Sequence, residues 1–224
     1  MSLTPLTSRD YEGSTVEVAR SLLGKTLTRK FGQEYLRSII VEVEAYLSSN
    51  DAASHSHRGM KTGNRSMFLP RGHLYVYPIH SRHCMNVVTE EEGRGAAVLI
   101  RAAEPMSSVD TMWRQRFGSP PPETYSVQDL RSISQGPGRL CESLRVDRAL
   151  DGVELWRHSE IWLEPPHPIV DSQRWKTRSS RRIGITKAPS RQLRFFIDGH
   201  TLVSGLARDH SKGRTWKFLD TPSR

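Results

Sequence analysis

Only two cysteines, Cys84 and Cys141, occur in the 224 residues. That excludes a disulfide framework and points to a reducing, intracellular setting, with both thiols read as small buried hydrophobes. No apolar run approaches the roughly 18 residues of a membrane span, so no membrane partner is expected. The opening MSLTPLTSRDYEGS lacks the basic-then-apolar order of a signal peptide. Gly93-Arg94-Gly95 stands without the further glycines of a dinucleotide fingerprint or the Lys-Ser/Thr of a phosphate loop, so no nucleotide cofactor is implied. A Gly-x-Ser-x-Gly elbow and a reactive-cysteine signature are missing too. His55-x-His57 and His80-x-x-His83-Cys84 have zinc-compatible side chains, but no Cys-x-x-Cys, His-Glu-x-x-His or acidic cluster completes a site. The expectation is no metal and no cofactor.

What is present is a core-forming composition with an uneven positive charge. The hydrophobic fraction of 36 % is modest but sufficient at this length, since chains of about this size bury some 70 % of their unfolded surface. There are 33 Lys+Arg against 24 Asp+Glu, a formal charge of +9. Residues 171–194 hold eight basic side chains (Arg174, Lys176, Arg178, Arg181, Arg182, Lys187, Arg191, Arg194) and one acid. Such density fits a segment that contacts a phosphate backbone through counterion release; a solvated loop is the plainer alternative. The acidic run Glu90-Glu91-Glu92 reads as an exposed turn.

Residues 14–24 carry a helix signature: Ser14 and Glu17 fit a capping box, and Gly24 suits a left-handed stop. Residues 37–47 alternate with period two, setting Ile39, Val41, Val43, Ala45 and Leu47 against Ile40, Glu42, Glu44 and Tyr46. Further strands are predicted at 73–79, 84–88 and 96–104, and a helix over 107–118. The Pro-rich stretch at 118–127 reads as a surface loop, followed by a short helix after Gly136-Pro137-Gly138. A closing strand pair is expected from RQLRFFIDG and TLVSG. Successive strands with short links indicate a largely antiparallel sheet with peripheral helices, an α+β fold in one domain over 1–224.

Two chemical candidates emerge from the strands. Glu42 and Glu44 share a strand face, and a carboxylate near a strand end beside Tyr46 can serve as a general base for water; alternation in a half-exposed strand would equally place both in solvent. Arg101 sits within VLIRAA, where a buried guanidinium needs a carboxylate partner. A Glu44–Arg101 contact between strands would supply it and keep the carboxylate ionised. Arg101 reaching past a strand end is the alternative.

Taken in order, ARSLLGKTL, VEVEAYLSSNDAASHS, NRSMF, GHLYVY, CMNVV, VLIRAAEP, GPGRLC, RRIGI and LRFF resemble the alkyladenine (3-methyladenine) DNA glycosylase family, from about residue 19 to 197. The resemblance implies a single mixed domain round a curved antiparallel sheet, and excision of alkylated or deaminated purines without a metal or cofactor. It implies a monomer acting on double-stranded DNA, in the cytoplasm of a bacterium or the nucleus of a eukaryote. Glu44 would activate the attacking water, with Arg101 helping to hold it. Tyr46, His55 and Tyr77 would sandwich a flipped purine, the His55 main chain would read the base edge, and Asn86 would disfavour the guanine 2-amino group. Arg182, Gly184 and Lys187 fall where the family touches the DNA backbone. The chain departs from the family at the wedge that fills the gap left by the flipped base. His80 stands where a tyrosine is usual, with Arg82 and His83 able to share its role. A weakly catalytic damage-binding module is the alternative function, and a histidine-metal nuclease a third.

Overall fold

The run at 37–47 belongs to β2 (Glu34–Tyr46), the axis of the molecule. In the computed structural model, which describes residues 4–157, 160–167, 170 and 175–205, β2 pairs along one edge with β1 (Lys25–Phe31) and then β8 (Arg194–Ile197). Along its other edge it pairs with β5 (Ala97–Ser107). The hairpin β3 (Leu74–Ile79) and β4 (Arg82–Val88) extends the sheet beyond β5. Beyond β1 lies β6 (Ile161–Pro166), and β7 (Thr177–Ser180) pairs with β8. All pairings are antiparallel, and the sheet is open, in the order β3-β4-β5-β2-β1-β6 with β8 and β7 branching from β2. The fold is α+β, as the strand succession predicts.

The helices cover one face. α1 (Thr15–Leu22) opens on the expected capping box: Ser14 N–H donates to Glu17 Oε2 at 2.8 Å, and Glu17 N–H donates to Ser14 Oγ at 3.3 Å. Gly24 follows at φ +83°, where a Cβ would also stand 2.9 Å from the Trp175 ring. α2 (Val109–Phe117), α3 (Val127–Ser134) and α4 (Pro137–Ser143) follow β5. Pro137 occupies the first turn of α4, where its missing N–H leaves no bond unmade. Val18, Leu22, Met112, Leu130, Ile133 and Leu140 bury their side chains with the sheet residues Leu27, Ile39, Val43 and Ile100 in one large core. A smaller cluster, Met67, Phe68, Tyr75, Val88 and Ala97, has Tyr46 and Tyr77 packed against it and lies beside the functional cavity.

Three sequence expectations need correction. The Pro-rich loop ends at 126: Val127 opens α3, whose capping box is Ser126 with Asp129. TLVSG forms no strand; residues 201–205 turn back and send Ser204 into the interior, and the partner of β8 outside β2 is β7. Nor is β2 half-exposed. Residues 38–45 are all buried, Glu42 and Glu44 at 0 % exposure, because the sheet is covered on both faces. Arg174, in the basic run, lies outside the described residues.

The β2–β5 register is also less regular than strict alternation implies. It keeps one offset through Ser38–Ile40 and Val43–Tyr46, but Glu42 pairs with Ala102, so Val41 on β2 and Arg101 on β5 fall outside the register. Irregularities of this kind bend a strand and re-aim a side chain. Here the side chain is a guanidinium.

Candidate active site

β2 carries Tyr46 to the end of the sheet, β5 carries Arg101, and the β3–β4 hairpin carries Tyr75, Tyr77, Cys84 and Asn86. Together with His55, Met67, Leu99 and the 183–185 segment they wall a cavity of about 500 Å³, within the usual range of roughly 300–1,000 Å³ for small-molecule sites. Tyr46, His55, Tyr77, Asn86 and Arg101 are thus brought together around one cavity.

Glu44 is not itself on the wall. It lies one hydrogen bond behind it, held by three residues that are. Tyr46 Oη donates to Oε2 at 2.9 Å, the Ile183 N–H donates to Oε1 at 2.7 Å, and Arg101 Nη1 approaches Oε2 to 3.3 Å. Burial pushes the Glu44 carboxyl up. Arg101, the Ile183 N–H and the Tyr46 hydroxyl pull it back only in part, and Glu42 adds to the rise. The predicted Glu44–Arg101 contact is present, but Arg101 does not restore ordinary carboxylate acidity. The second carboxylate behaves in the opposite way. Burial alone would push Glu42 up too, yet Arg101 and Arg194 hold it below its ordinary value.

The loop between β2 and β3 is pinned so that His55 faces the cavity. Asp51 accepts from the N–H groups of Leu47 at 3.1 Å and Ala53 at 3.3 Å. Ser54 caps the short turn His55–Arg58, and Gly95 lets this loop approach, since a Cβ there would lie 2.6 Å from Ser56 and 2.7 Å from Phe68. His55 Nδ1 and the Tyr75 hydroxyl are 2.8 Å apart, and the His55 and Tyr77 rings meet edge to face at 4.5 Å. Burial lowers the His55 pKa, favouring the neutral ring. The His55 carbonyl accepts from Asn64 Nδ2 at 2.9 Å, so that part of the main chain is already engaged. Asn86 donates Nδ2 to the Tyr75 carbonyl at 3.0 Å and the Cys84 carbonyl at 3.5 Å, which fixes how its amide is turned.

Other predicted residues are distributed differently. Arg182, expected at the DNA backbone, is buried: its guanidinium grips Asp51, donates to the Ala45 carbonyl at 2.9 Å and lies 4.6 Å over the Tyr46 ring. It backs the cavity instead of facing a phosphate. Arg194 is likewise drawn inward, to Glu42. Arg82 is half-exposed and ion-paired with Glu142 at 3.1 Å. Gly184 and Lys187 line a second, open groove of about 370 Å³ with His57, Arg58 and Lys61; it shares Ala53, His55, Gly184 and Ile185 with the cavity. His80 is exposed on the β3–β4 turn at φ +52°. Beside it Ile79, not singled out from sequence, is 42 % exposed and lies on the cavity rim. Tyr75 was also missed; its place in LYVYPI, two residues before Tyr77, is the signal that puts it on the same face. Among the described residues no group of three His, Cys, Asp or Glu is placed to hold a metal ion, and no helix is long and apolar enough to cross a membrane.

An aromatic cavity backed by a buried carboxylate–arginine pair opens beside a cationic groove, the layout of an enzyme pocket next to a surface suited to a polyanion. The comparisons with known proteins agree. Residues 9–201 match the model of the methylpurine-DNA glycosylase family. A "Putative 3-methyladenine DNA glycosylase" of Rhodopirellula baltica is 47 % identical over 95 % of this chain and 88 % of its own length. A protein of the same name from Mesorhizobium japonicum is 41 % identical over 90 % of each chain. The mouse protein named DNA-3-methyladenine glycosylase is 39 % identical over 88 % of this chain and 60 % of its own length. The chain belongs to the methylpurine-DNA glycosylase family and is a DNA glycosylase.

Proposed function

We propose that this enzyme removes alkylated or deaminated purines, such as 3-methyladenine, 7-methylguanine, ethenoadenine and hypoxanthine, from double-stranded DNA by hydrolysis, leaving an abasic site with no lyase step. The observation that carries the reading is Glu44: an enclosed carboxylate whose three partners, Tyr46, Arg101 and the Ile183 N–H, all belong to residues lining one aromatic cavity. A stacked base cannot be attacked in the duplex and is rotated out first, most cheaply when damage has weakened its pairing. Electron-poor purines suit the rings of Tyr46, His55 and Tyr77, while Asn86 crowds the 2-amino group of guanine. As the glycosidic bond breaks, positive charge grows on the sugar, and the Glu44 carboxylate stabilises it. Glu44 also takes a proton from water, a task for which its raised proton affinity suits it. Water reaching Oε2 displaces the Tyr46 hydroxyl or settles between it and Arg101. Among the described residues the cavity wall holds no lysine, while Lys61 and Lys187 stand in the groove outside it; this supports hydrolysis over imine formation.

The test is a duplex with one ethenoadenine or hypoxanthine, incubated with enzyme and then with hot alkali. Strand scission at the lesion that depends on the alkali is the expected result. Scission without alkali would reject the hydrolytic reading in favour of a lyase. Tight lesion binding with no scission in either arm would favour the damage-binding alternative, in which Tyr46 keeps Oε2 capped.

A further inference from the structure

Glu42 is the carboxylate of the VEVEAY strand that the reaction above leaves unused, yet it accepts four hydrogen bonds. Its Oε1 accepts from Arg101 Nε at 3.0 Å, Arg194 Nε at 2.6 Å and Ser204 Oγ at 2.8 Å; its Oε2 accepts from the Ser204 N–H at 2.7 Å. Arg101 in turn is divided: Nε goes to Glu42, Nη2 to Ser204 Oγ at 3.3 Å, and Nη1 to Glu44 at 3.3 Å. Arg101 lies outside the β2–β5 register, so the strand pairing alone does not fix its direction. Glu42 and Ser204 do.

We propose that Glu42 is a positioning residue of the excision reaction, clamping Arg101 by Nε so that Nη1 is presented to Glu44 and the water-activating site is built from two carboxylates sharing one guanidinium. The inference rests on the glycosylase chemistry proposed above and deepens it. The arrangement solves a charge problem. One arginine between two enclosed carboxylates would leave a net negative site, and Arg194 restores the balance from β8: it pairs with Glu44 across the strands while its side chain donates to Glu42 at 2.6 Å. Glu44 therefore sees Glu42 and the Tyr46 hydroxyl on its own strand, Arg101 from β5, the Ile183 N–H from the segment before β8, and Cys84 from β4. Arg182 stands farther off, behind the Tyr46 ring.

The readout is the pH dependence of single-turnover excision, which a purely structural residue would not move in a defined direction. Glu42→Gln removes a negative charge beside Glu44 while the Gln Oε1 and Ser204 Oγ still accept from Arg101 and keep it near: the acid limb moves toward lower pH by about one unit, and the looser aim of Nη1 lowers the plateau rate roughly 10- to 100-fold. Lesion-DNA Kd changes by no more than about threefold, because the loss is confined to the transition state. Arg194→Gln, which unmasks the Glu42 charge, moves the limb the other way. Should Glu42→Gln not fold, Ser204→Ala strips a donor from Glu42 and an acceptor from Arg101 together, and is expected to slow excision about fivefold with Kd unchanged. Active wild-type enzyme whose limb coincides with those of both charge variants, or a Ser204→Ala variant of unchanged rate, would overturn the proposal alone. An inactive wild type would overturn the glycosylase chemistry, and this inference with it.

Discussion

Asp51 and Arg182 meet in a bidentate ion pair, 2.6 Å at each contact, with both side chains wholly enclosed. One loop from each side of the cavity is thereby tied to the other. Asp51 organises the segment leading to His55, while Arg182 precedes Ile183, whose N–H reaches Glu44. Breaking such a pair strands a charge where water cannot reach it, at a cost of about 3–5 kcal/mol. Asp51→Asn is therefore expected to lower Tm by roughly 10 °C and to depress excision along with it. Arg182→Lys in the wild-type background is expected to lower both properties too, since an ammonium cannot span both Asp51 oxygens. Calorimetry within a degree or two of wild type for Asp51→Asn would show that the pair contributes little.

Glu44 and Glu42 should respond to neutralisation with opposite signs. In the folded protein burial raises the Glu44 pKa above its ordinary value. The native state then binds more protons than the unfolded chain between the two values, and stability falls as pH rises through that window. Above that window the ionised carboxylate is a net cost, so Glu44→Gln is expected to melt no lower than wild type there while losing base release and retaining lesion binding. Glu42 is held low by Arg101 and Arg194 despite its burial. Its contribution is present above the unfolded pKa and disappears as pH falls through the folded one. Glu42→Gln should accordingly melt well below wild type at pH 7.5. Release persisting in Glu44→Gln would remove Glu44 from its assigned role.

The hairpin tip makes a separate prediction. Ile79 is an exposed apolar side chain on the cavity rim, next to His80 in a left-handed backbone conformation. We propose that this side chain is an apolar wedge that unstacks a base pair. Ile79→Ala is expected to slow excision from duplex about tenfold while leaving a single-stranded lesion unaffected, because only the duplex has to be opened. His80→Gly relieves roughly 1–2 kcal/mol of backbone strain. A duplex-specific loss in His80→Gly but not in Ile79→Ala would assign the wedge to the imidazole instead.

Salt titration reads the cationic surface. Of the basic run, Lys176, Arg178, Arg181 and Lys187 are exposed and Arg191 half-exposed, whereas Arg182 and Arg194 are buried. Neutralising about five phosphates gives a slope of log affinity against log salt near −4.5. Lys187→Ala should flatten that slope by about one. A slope near zero would show that this face does not meet DNA.

Much of this was readable from the chain itself. The period-two run at 37–47, the nearly continuous apolar run at 96–104 and the Ser14/Glu17 pair announce β2, β5 and α1 because those signals are local. A guanidinium inside VLIRAA demanded a carboxylate, and Glu44 was one of the two available. What escaped was set by distant contacts. The inward turn of Arg182 depends on Asp51, 131 positions earlier, and that of Arg194 on Glu42, 152 positions earlier. A count of positive charge cannot separate these from Lys187. α3 is signalled by Ser126 and Asp129, a capping pair like that of α1, but the prolines at 120–122 just before it carry the opposite local signal. Residues 201–205 failed as a strand for a related reason. Apolar Leu202 and Val203 suit a sheet edge, but Ser204 is drawn to Glu42, a demand invisible in five residues.

The paired slip at Val41 and Arg101 carries a lesson for transplanting this centre. Each strand holds one surplus residue, and the two cancel, so that Glu44 still meets Leu99. Deleting either alone would leave the hydrophobic composition intact yet shift every later rung, parting the base from its guanidinium. A designer grafting this chemistry onto another sheet must move both surplus residues as one unit.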